Sequence, residues 1–280
     1  MLAVPPTIAP GQLPTRLPDR HQVRSAKITF GRQSILLMVI RDRPCPYPVR
    51  GIRHLKTLAI DTSTRQSSLA LFQGSELIVA QWLDPTLPTT QAITPLMQQL
   101  VDEAGWKPTD LQLVIVAQGP GSFTGLRIGV MTAKTIAYVA GATTVGVNTL
   151  RAIAHRCDDN VSRLHVVMDA QRKQFFHAAC DRDDTGKYVE VQSTQIVDDK
   201  EFMASLNPGE SITGPGLKNK LSLVPEGVRV VDENEWAPTA EAVGRVGITD
   251  FLAGRYDDFW SLNPNYYRKS AAEEKLESEA

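Results

Sequence analysis

Cysteine is scarce in this sequence. Its 280 residues include three cysteines, Cys45, Cys157 and Cys180, and no two of them form a CxxC pair. Disulfide-stapled proteins and most structural zinc sites need more cysteines at closer and more regular spacing. The sequence therefore argues against both classes, and it suits a protein of the reducing cytoplasm.

Long apolar runs are missing as well. The longest one, Ile35 to Ile40, has six residues, whereas a helix needs about twenty to cross a membrane. Arg41, Asp42 and Arg43 follow it at once, which is not typical of a secretory signal. We expect no membrane association.

Basic residues are concentrated at the front of the chain. Residues 1–56 hold ten Lys and Arg against two Asp and Glu, whereas residues 57–280 hold twenty against twenty-nine. The first part also contains eight of the eighteen prolines and has no sustained hydrophobic period. Such a stretch buries too little apolar surface to offset its ordering entropy. We predict that residues 1–54 are a disordered or mis-annotated extension.

Several interpretations of this extension are open. It is a basic tail, a targeting peptide or upstream sequence added by a misplaced start, and we favour the last because regular patterning begins abruptly near Leu55. A basic arm that grips RNA is a further possibility. The acidic balance of residues 57–280 makes the remainder a poor nucleic-acid binder by itself.

From Lys56 onward, short strand-like runs alternate with amphipathic segments, and the second half repeats the opening of the first. Each half starts with an apolar strand closed by an acid and continues with two more strands. This pattern predicts a mixed α/β fold. The predicted elements are Thr57–Asp61, Ser67–Phe72, Glu76–Trp82, the helix Gln91–Ala104, Leu111–Val116, Leu164–Asp169, Gln174–Cys180, Tyr188–Gln192 and the helix Pro238–Leu252.

A glycine-rich loop, Gln118 to Gly125, lies between a predicted strand and a helix that runs to Tyr138 or Val139. A strand, such a loop and a helix N-terminus together form a site for an anion, because backbone N–H groups and the helix dipole point at it. The residues that would serve it are Gly119, Gly121 and Gly125 for close approach, Ser122 or Thr124 as a helix cap, and Arg127 as a partner for phosphate or carboxylate.

The same glycines also fit a packing role. Small residues recur every four positions along the helix, which lets another helix or a sheet approach closely. We favour packing over phosphate binding. The members of this stripe are Gly125, Gly129, Ala133, Ala137 and Gly141.

The stretch from Val116 to Gly129 closely resembles the hallmark of the TsaB (YeaZ) family. Residues 143–150 and the C-terminal Asn263-Pro-Asn-Tyr-Tyr-Arg268 are similar to that family too. The resemblance covers about residues 56–270. It implies a duplicated actin-like (ASKHA, ribonuclease H-like) fold with two halves of β-β-β-α-β-α type. The domains it implies are 55–160 and 161–270, followed by a flexible tail at 271–280.

The resemblance also implies a function. A member of this family is expected to be a non-catalytic partner of TsaD, acting with the ATPase TsaE to form N6-threonylcarbamoyladenosine at position 37 of tRNAs that read ANN codons. It would contact tRNA indirectly, hold no cofactor of its own except ATP or ADP at a complex interface, and form a homodimer when TsaD is missing. The predicted partner contacts are Ile93, Met97, Leu100, Gly125, Gly129 and Ala133.

An enzyme of the same fold is the alternative: an independent ATP-dependent phosphotransferase or hydrolase. Its phosphate signatures are incomplete here, because Ser63 replaces a glycine after Asp61 and no glycine follows Asp169. We favour a structural role for both acids, each ending a strand and capping a turn. The possible degenerate nucleotide site consists of Asp61, Thr64, Gly119, Gly121, Ser122, Thr124, Arg127 and Asp169.

The sequence contains no motif that indicates metal-based catalysis. The related TsaD family holds a metal through an HxxxH helix, and no two of the five histidines here are four residues apart. His155, His165 and His177 are therefore expected to have isolated packing or surface roles. We predict no metal site, and a peptidase activity gains no support from these residues.

Overall fold

The computed structural model shows a mixed α/β chain whose first element is a separate hairpin. Strands β1 (Val23–Phe30) and β2 (Gln33–Ile40) pair antiparallel in full register. The prediction that residues 1–54 are a disordered or mis-annotated extension stays a prediction. The residues that the structure describes are 53–157, 162–183 and 188–268, together with the backbone of 23–30 and 33–40. The rest of the predicted extension, residues 1–22, 31–32 and 41–52, and the predicted tail at 271–280 lie outside them.

The first half of the body is a five-stranded sheet. Its order is β5-β4-β3-β6-β7, with the first three strands antiparallel and the last two parallel to β3. These strands are β3 (Lys56–Asp61), β4 (Ser68–Gln73), β5 (Glu76–Trp82), β6 (Leu113–Gly119) and β7 (Thr143–Asn148).

The second half repeats this plan. Its order is β10-β9-β8-β11-β12, again an antiparallel meander followed by two parallel strands. The duplication expected from the resemblance is confirmed, because both sheets have the same strand order. These strands are β8 (Arg163–Asp169), β9 (Gln174–Arg182), β10 (Tyr188–Asp198), β11 (Ser211–Thr213) and β12 (Arg229–Val230).

The helices connect and cover the sheets. The predicted helix at Gln91–Ala104 is confirmed, although it begins two residues earlier. None of the helices in the described part of the chain is long and apolar enough to cross a bilayer. The helices are α1 (Thr89–Glu103), α2 (Phe123–Ala140), α3 (Thr149–Ala154), α4 (Asp199–Ser205) and α5 (Ala240–Leu252).

The first sheet is buried on both faces. Along β6, Val114 and Val116 face the cluster formed with α1 and α2, whereas Leu113 and Ile115 face the cluster formed with α5. Helix α5 lies very close to β6, since a Cβ added at Gly247 would be only 2.3 Å from the Ile115 side chain. A helix from the second part of the sequence therefore completes the core of the first sheet, and the predicted division at 160/161 stays a prediction.

The residues predicted to contact a partner are corrected by this packing. All six lie inside the chain's own core, where α1 and α2 cover the first sheet. The amphipathic pattern identified the inner face of each helix, because the most apolar stripe of a helix packs against its sheet. The six are Ile93, Met97, Leu100, Gly125, Gly129 and Ala133.

Candidate functional site

The glycine-rich loop joins β6 to α2. Ser122 is the residue before the helix, and its Oγ accepts a hydrogen bond from the backbone N–H of Gly125 at 3.2 Å. Of the two predicted caps, Ser122 is therefore the one the structure uses. Thr124 lies exposed in the first turn.

The connection between β3 and β4 packs directly on this loop. The backbone N–H of Ser122 donates to the carbonyl of Ser63 at 2.7 Å, and Thr62 Oγ1 donates to the carbonyl of Gly125 at 2.7 Å. With the Ser122 cap on the Gly125 N–H, two backbone N–H groups at the start of α2 are thus bound within the chain itself. A ligand at this end of the helix would compete with them.

The glycines explain how such close approach is possible. A Cβ at Gly121 would be 2.4 Å from the Ser63 carbonyl oxygen, and one at Gly125 would be 2.0 Å from that of Thr62. At Gly129 it would be 2.2 Å from Thr62 Oγ1. The packing interpretation is confirmed for these three glycines. What they admit is the β3–β4 connection, and not the helix or sheet that the stripe suggested.

The C-terminal segment covers the other side of the loop. The backbone N–H of Asn265 donates to the Gln118 carbonyl at 2.8 Å, and Gln118 Nε2 donates to the Asn263 carbonyl at 3.0 Å. A Cβ at Gly119 would be 2.8 Å from the Asn265 carbonyl oxygen. The space that the loop glycines open is filled from both sides by this chain, which does not fit a phosphate cradle.

Arg127 is engaged by aromatic side chains. Its guanidinium lies 3.8 Å from the ring centroid of Phe123, and its Nε donates to Tyr266 Oη at 2.8 Å. The two rings are 4.7 Å apart. The predicted pairing of Arg127 with phosphate or carboxylate stays a prediction.

Asp61 is the buried acid of the site. Its Oδ1 accepts hydrogen bonds from the Ser63 hydroxyl at 2.6 Å and from the Ser63 N–H at 3.0 Å. The described residues offer its buried Oδ2 no partner. Burial, opposed by the bonds from Ser63, raises the pKa of Asp61 to about 6. An acid that ends a strand and caps the turn after it is what we predicted.

Replacing Asp61 with asparagine is expected to stabilise the protein at pH 8. The folded state keeps a proton between pH 3.8 and about 6 that the unfolded state has lost, so stability falls as pH rises through that window. Above it the buried charge is a constant cost. Asn keeps the acceptor for Ser63, and the gain is about 1 to 3 kcal/mol at pH 8 and vanishes near pH 4. Urea unfolding at both values measures it, and a less stable variant at pH 8 would mean that the carboxylate has a ligand.

Asp169 repeats the local geometry of Asp61 in an exposed setting. Its Oδ1 accepts from the Gln171 N–H at 2.9 Å. Its place is the end of β8 in the second sheet. Thr64 also serves its own turn, because its hydroxyl donates to the Gln66 carbonyl at 3.1 Å. Of the predicted residues, Asp61, Gly121 and Ser122 all contact Ser63, whereas Gly119 and Arg127 contact the C-terminal segment.

Contrary to our expectation, His165 and His177 are not isolated from each other. His165 Nδ1 lies 3.0 Å from His177 Nε2, and both rings are buried beside Phe202. Burial lowers the pKa of both, that of His177 to about 4. The described residues contain no group of three His, Cys, Asp or Glu side chains placed to hold a metal ion. The two histidines are therefore a neutral, buried pair in the core beside the second sheet.

The outward face of α2 carries apolar side chains that its inner stripe did not indicate. Met131 is 63% exposed and Tyr138 is 68% exposed. Trp260, 69% exposed, comes from the segment that crosses this helix, where Lys134 Nζ donates to its carbonyl. Together with Phe123 and Val139 these residues form what we call the α2 ridge. Its four members on the helix lie on one side of it, with spacings of seven and eight residues from Met131 to the others.

Comparisons with known proteins find similarity to proteins named for the formation of threonylcarbamoyladenosine in tRNA. A family model described as "TsaD: tRNA N6-adenosine threonylcarbamoyltransferase" matches residues 89–211. The chain is 29% identical over 229 residues to the tRNA threonylcarbamoyladenosine biosynthesis protein TsaB of Escherichia coli, covering 79% of this chain and 98% of that protein. It is 31% identical over 121 residues to TsaB of Bacillus subtilis, covering 42% of this chain and 52% of that one.

A solved structure shares the fold. YeaZ from Pseudomonas aeruginosa superposes with a TM-score of 0.67 at 20% identity, covering 75% of this chain and 99% of that one. A second structure from the same organism, described as similar to peptidase YeaZ, has the same TM-score at 21% identity. Over most of its length the chain is similar to the TsaB (YeaZ) proteins.

Proposed function

We propose that this chain is a non-catalytic subunit in the formation of N6-threonylcarbamoyladenosine at position 37 of tRNAs that read ANN codons. It pairs with TsaD, the transferase, and acts with the ATPase TsaE. The name of the Escherichia coli relative, matched over 98% of its length, supports the pathway. Contact with tRNA is made through the complex, and any ATP or ADP lies at an interface within it.

The observation that carries the non-catalytic role is the filled glycine-rich loop. An enzyme that binds ATP in this fold needs backbone N–H groups free to meet phosphate. Here the Ser63 carbonyl accepts from Ser122, and the Asn265 carbonyl lies against Gly119. The loop holds the chain together at the point where a phosphate would otherwise bind.

The α2 ridge supports pairing with another protein. Its exposed members are a methionine and several aromatic residues, which are enriched in the centres of protein interfaces. Arg127, stacked on Phe123, adds one charge at its edge. A partner that covers this ridge would remove large apolar side chains from water, which favours association.

Reconstitution tests the proposal. The full chain, the TsaD and TsaE of the same organism, a substrate tRNA and threonylcarbamoyl-adenylate are combined, and modified tRNA is measured with and without the chain. We expect a stable complex with TsaD and at least a tenfold dependence of multi-turnover modification on the chain. An unchanged rate without it would overturn the proposal.

Asp61→Asn separates the proposal from the alternative enzyme. A subunit that only scaffolds keeps its modification rate within about twofold, because the substitution leaves the Ser63 hydrogen bonds in place. A phosphotransferase or hydrolase that uses this acid loses at least tenfold while the complex remains intact. ATP turnover by the chain alone, abolished in the variant, would establish the alternative.

A further inference from the structure

The last described residues, Asn263 to Arg268, cross from one half of the molecule to the other, and we call them the latch. They follow Leu262, which is fully buried in the core around α1 and α2. Beyond Leu262 the side chains are exposed or half-buried. A segment with few buried apolar contacts can open without unfolding the core.

The first part of the latch binds the glycine-rich loop. Asn263 and Asn265 exchange hydrogen bonds with Gln118 at 3.0 and 2.8 Å. Tyr266 then accepts a hydrogen bond from Arg127 and stacks at 4.7 Å on Phe123. These contacts lie on the end of β6 and the first turns of α2.

The second part binds the other half. Tyr267 stands between the halves: its Oη accepts from Asn148 Nδ2 of β7 in the first half at 3.1 Å, and its ring is 6.1 Å from that of Phe176 on β9 in the second. Arg268 donates to the Ala170 carbonyl at 2.5 Å and to Gln174 Oε1. Within four residues the chain therefore passes from the first sheet to the second.

The turn that Arg268 reaches is strained. Gln171, Arg172 and Lys173 all have positive φ, at 62°, 54° and 60°. Three consecutive non-glycine residues in the left-handed region are unfavourable and persist only where the surroundings hold them. Arg268 supplies such support, because it binds Ala170 just before the turn and Gln174 just after it.

We propose that the latch couples the two halves. Its Arg268 end holds the strained turn of residues 171–173, and its Tyr266 end holds the glycine-rich loop. Because both ends belong to one segment of six residues, we expect that loss of the contacts at one end weakens the contacts at the other. Linkage requires this effect to be reciprocal. The coupling depends on the latch alone and not on the proposed function.

Hydrogen exchange on the full chain tests the coupling from both directions. Arg268→Ala removes contacts in the second half, and we expect at least a fivefold faster exchange of the Ser122 amide, which is bonded to Ser63 in the first half. Tyr266→Phe keeps the ring and loses the hydrogen bond to Arg127. We expect it to speed exchange of the Gln174 amide, which is bonded to Gln171 in the second half.

The control is Arg245→Ala, which removes an exposed arginine paired with Glu241 on α5. It should leave both amides unchanged. Circular dichroism establishes that each variant is folded, and the conservative Tyr266→Phe provides the readout if Arg268→Ala unfolds. Faster exchange confined to the half in which each contact was removed would overturn the proposal.

Discussion

Gly125→Ala is expected to lower the free energy of unfolding by at least about 3 kcal/mol. The new methyl group would stand 2.0 Å from the carbonyl oxygen of Thr62. Neither side can move easily, because Thr62 Oγ1 is bonded to the Gly125 carbonyl and the Gly125 N–H is bonded to Ser122. Helix propensity alone predicts the opposite sign, a gain of about 1 kcal/mol for alanine over glycine.

Gly141→Ala is the matched control at the other end of the same helix. Gly141 has a φ of 68°, and a Cβ added there would meet no atom within 4 Å, so alanine costs about 1 kcal/mol of left-handed backbone strain. Urea unfolding of both variants measures the difference. A Gly125→Ala protein as stable as the wild type would mean that the β3–β4 connection is not held against α2.

The repeated order of elements was predictable from sequence. Each half opens with an apolar run closed by an acid, and the positions of Asp61 and Asp169 at strand ends follow from that pattern. Ser122 as a helix cap was equally readable, since a serine stands three residues before Gly125 at the start of a helical period. These features depend on neighbours in the chain.

What fills the glycine stripe was not predictable. The stripe showed that something approaches α2 closely, but Thr62 and Ser63 lie about sixty residues earlier in the sequence. The packing of helix α5 was also not predictable, because this helix belongs to the second half of the sequence and covers a face of the first sheet. The uninterrupted apolar run of β6 was the available signal, since a strand buried on both faces needs a second covering layer.

The histidine pair was missed for a related reason. His165 and His177 are twelve residues apart and were judged singly. Once β8 and β9 are paired, Val167 stands opposite His177, and His165 lies on the same face two residues along. The two strands were predicted, so the diagonal contact followed from their register.

The interface prediction failed because an amphipathic pattern gives the same signal for a core and for a binding face. Ile93, Met97 and Leu100 are regular members of the apolar face of α1, and they pack on the sheet. Met131 and Tyr138 break the pattern by placing large apolar groups among the exposed positions of α2. An apolar residue out of phase with the core stripe is the better indicator of a partner.

Met131→Asp is accordingly expected to weaken the proposed complex with TsaD at least a hundredfold while leaving the fold intact. Met131 lies in the middle of the α2 ridge and is 63% exposed, so the free protein tolerates a carboxylate there within about 0.5 kcal/mol. In the complex the carboxylate would be desolvated against an apolar surface, at a cost of about 3 kcal/mol or more. Titration calorimetry of the full chain with TsaD measures the affinity.

Two further variants define what the result means. Leu221→Asp places the same charge at a leucine of similar exposure, 53%, in the second half, and it should bind TsaD like the wild type. Leu100→Asp puts the charge at a fully buried position, and it should unfold the protein before any interface is tested. Normal affinity of Met131→Asp would remove the α2 ridge from the interface, because a central apolar contact cannot accept an unpaired charge without loss.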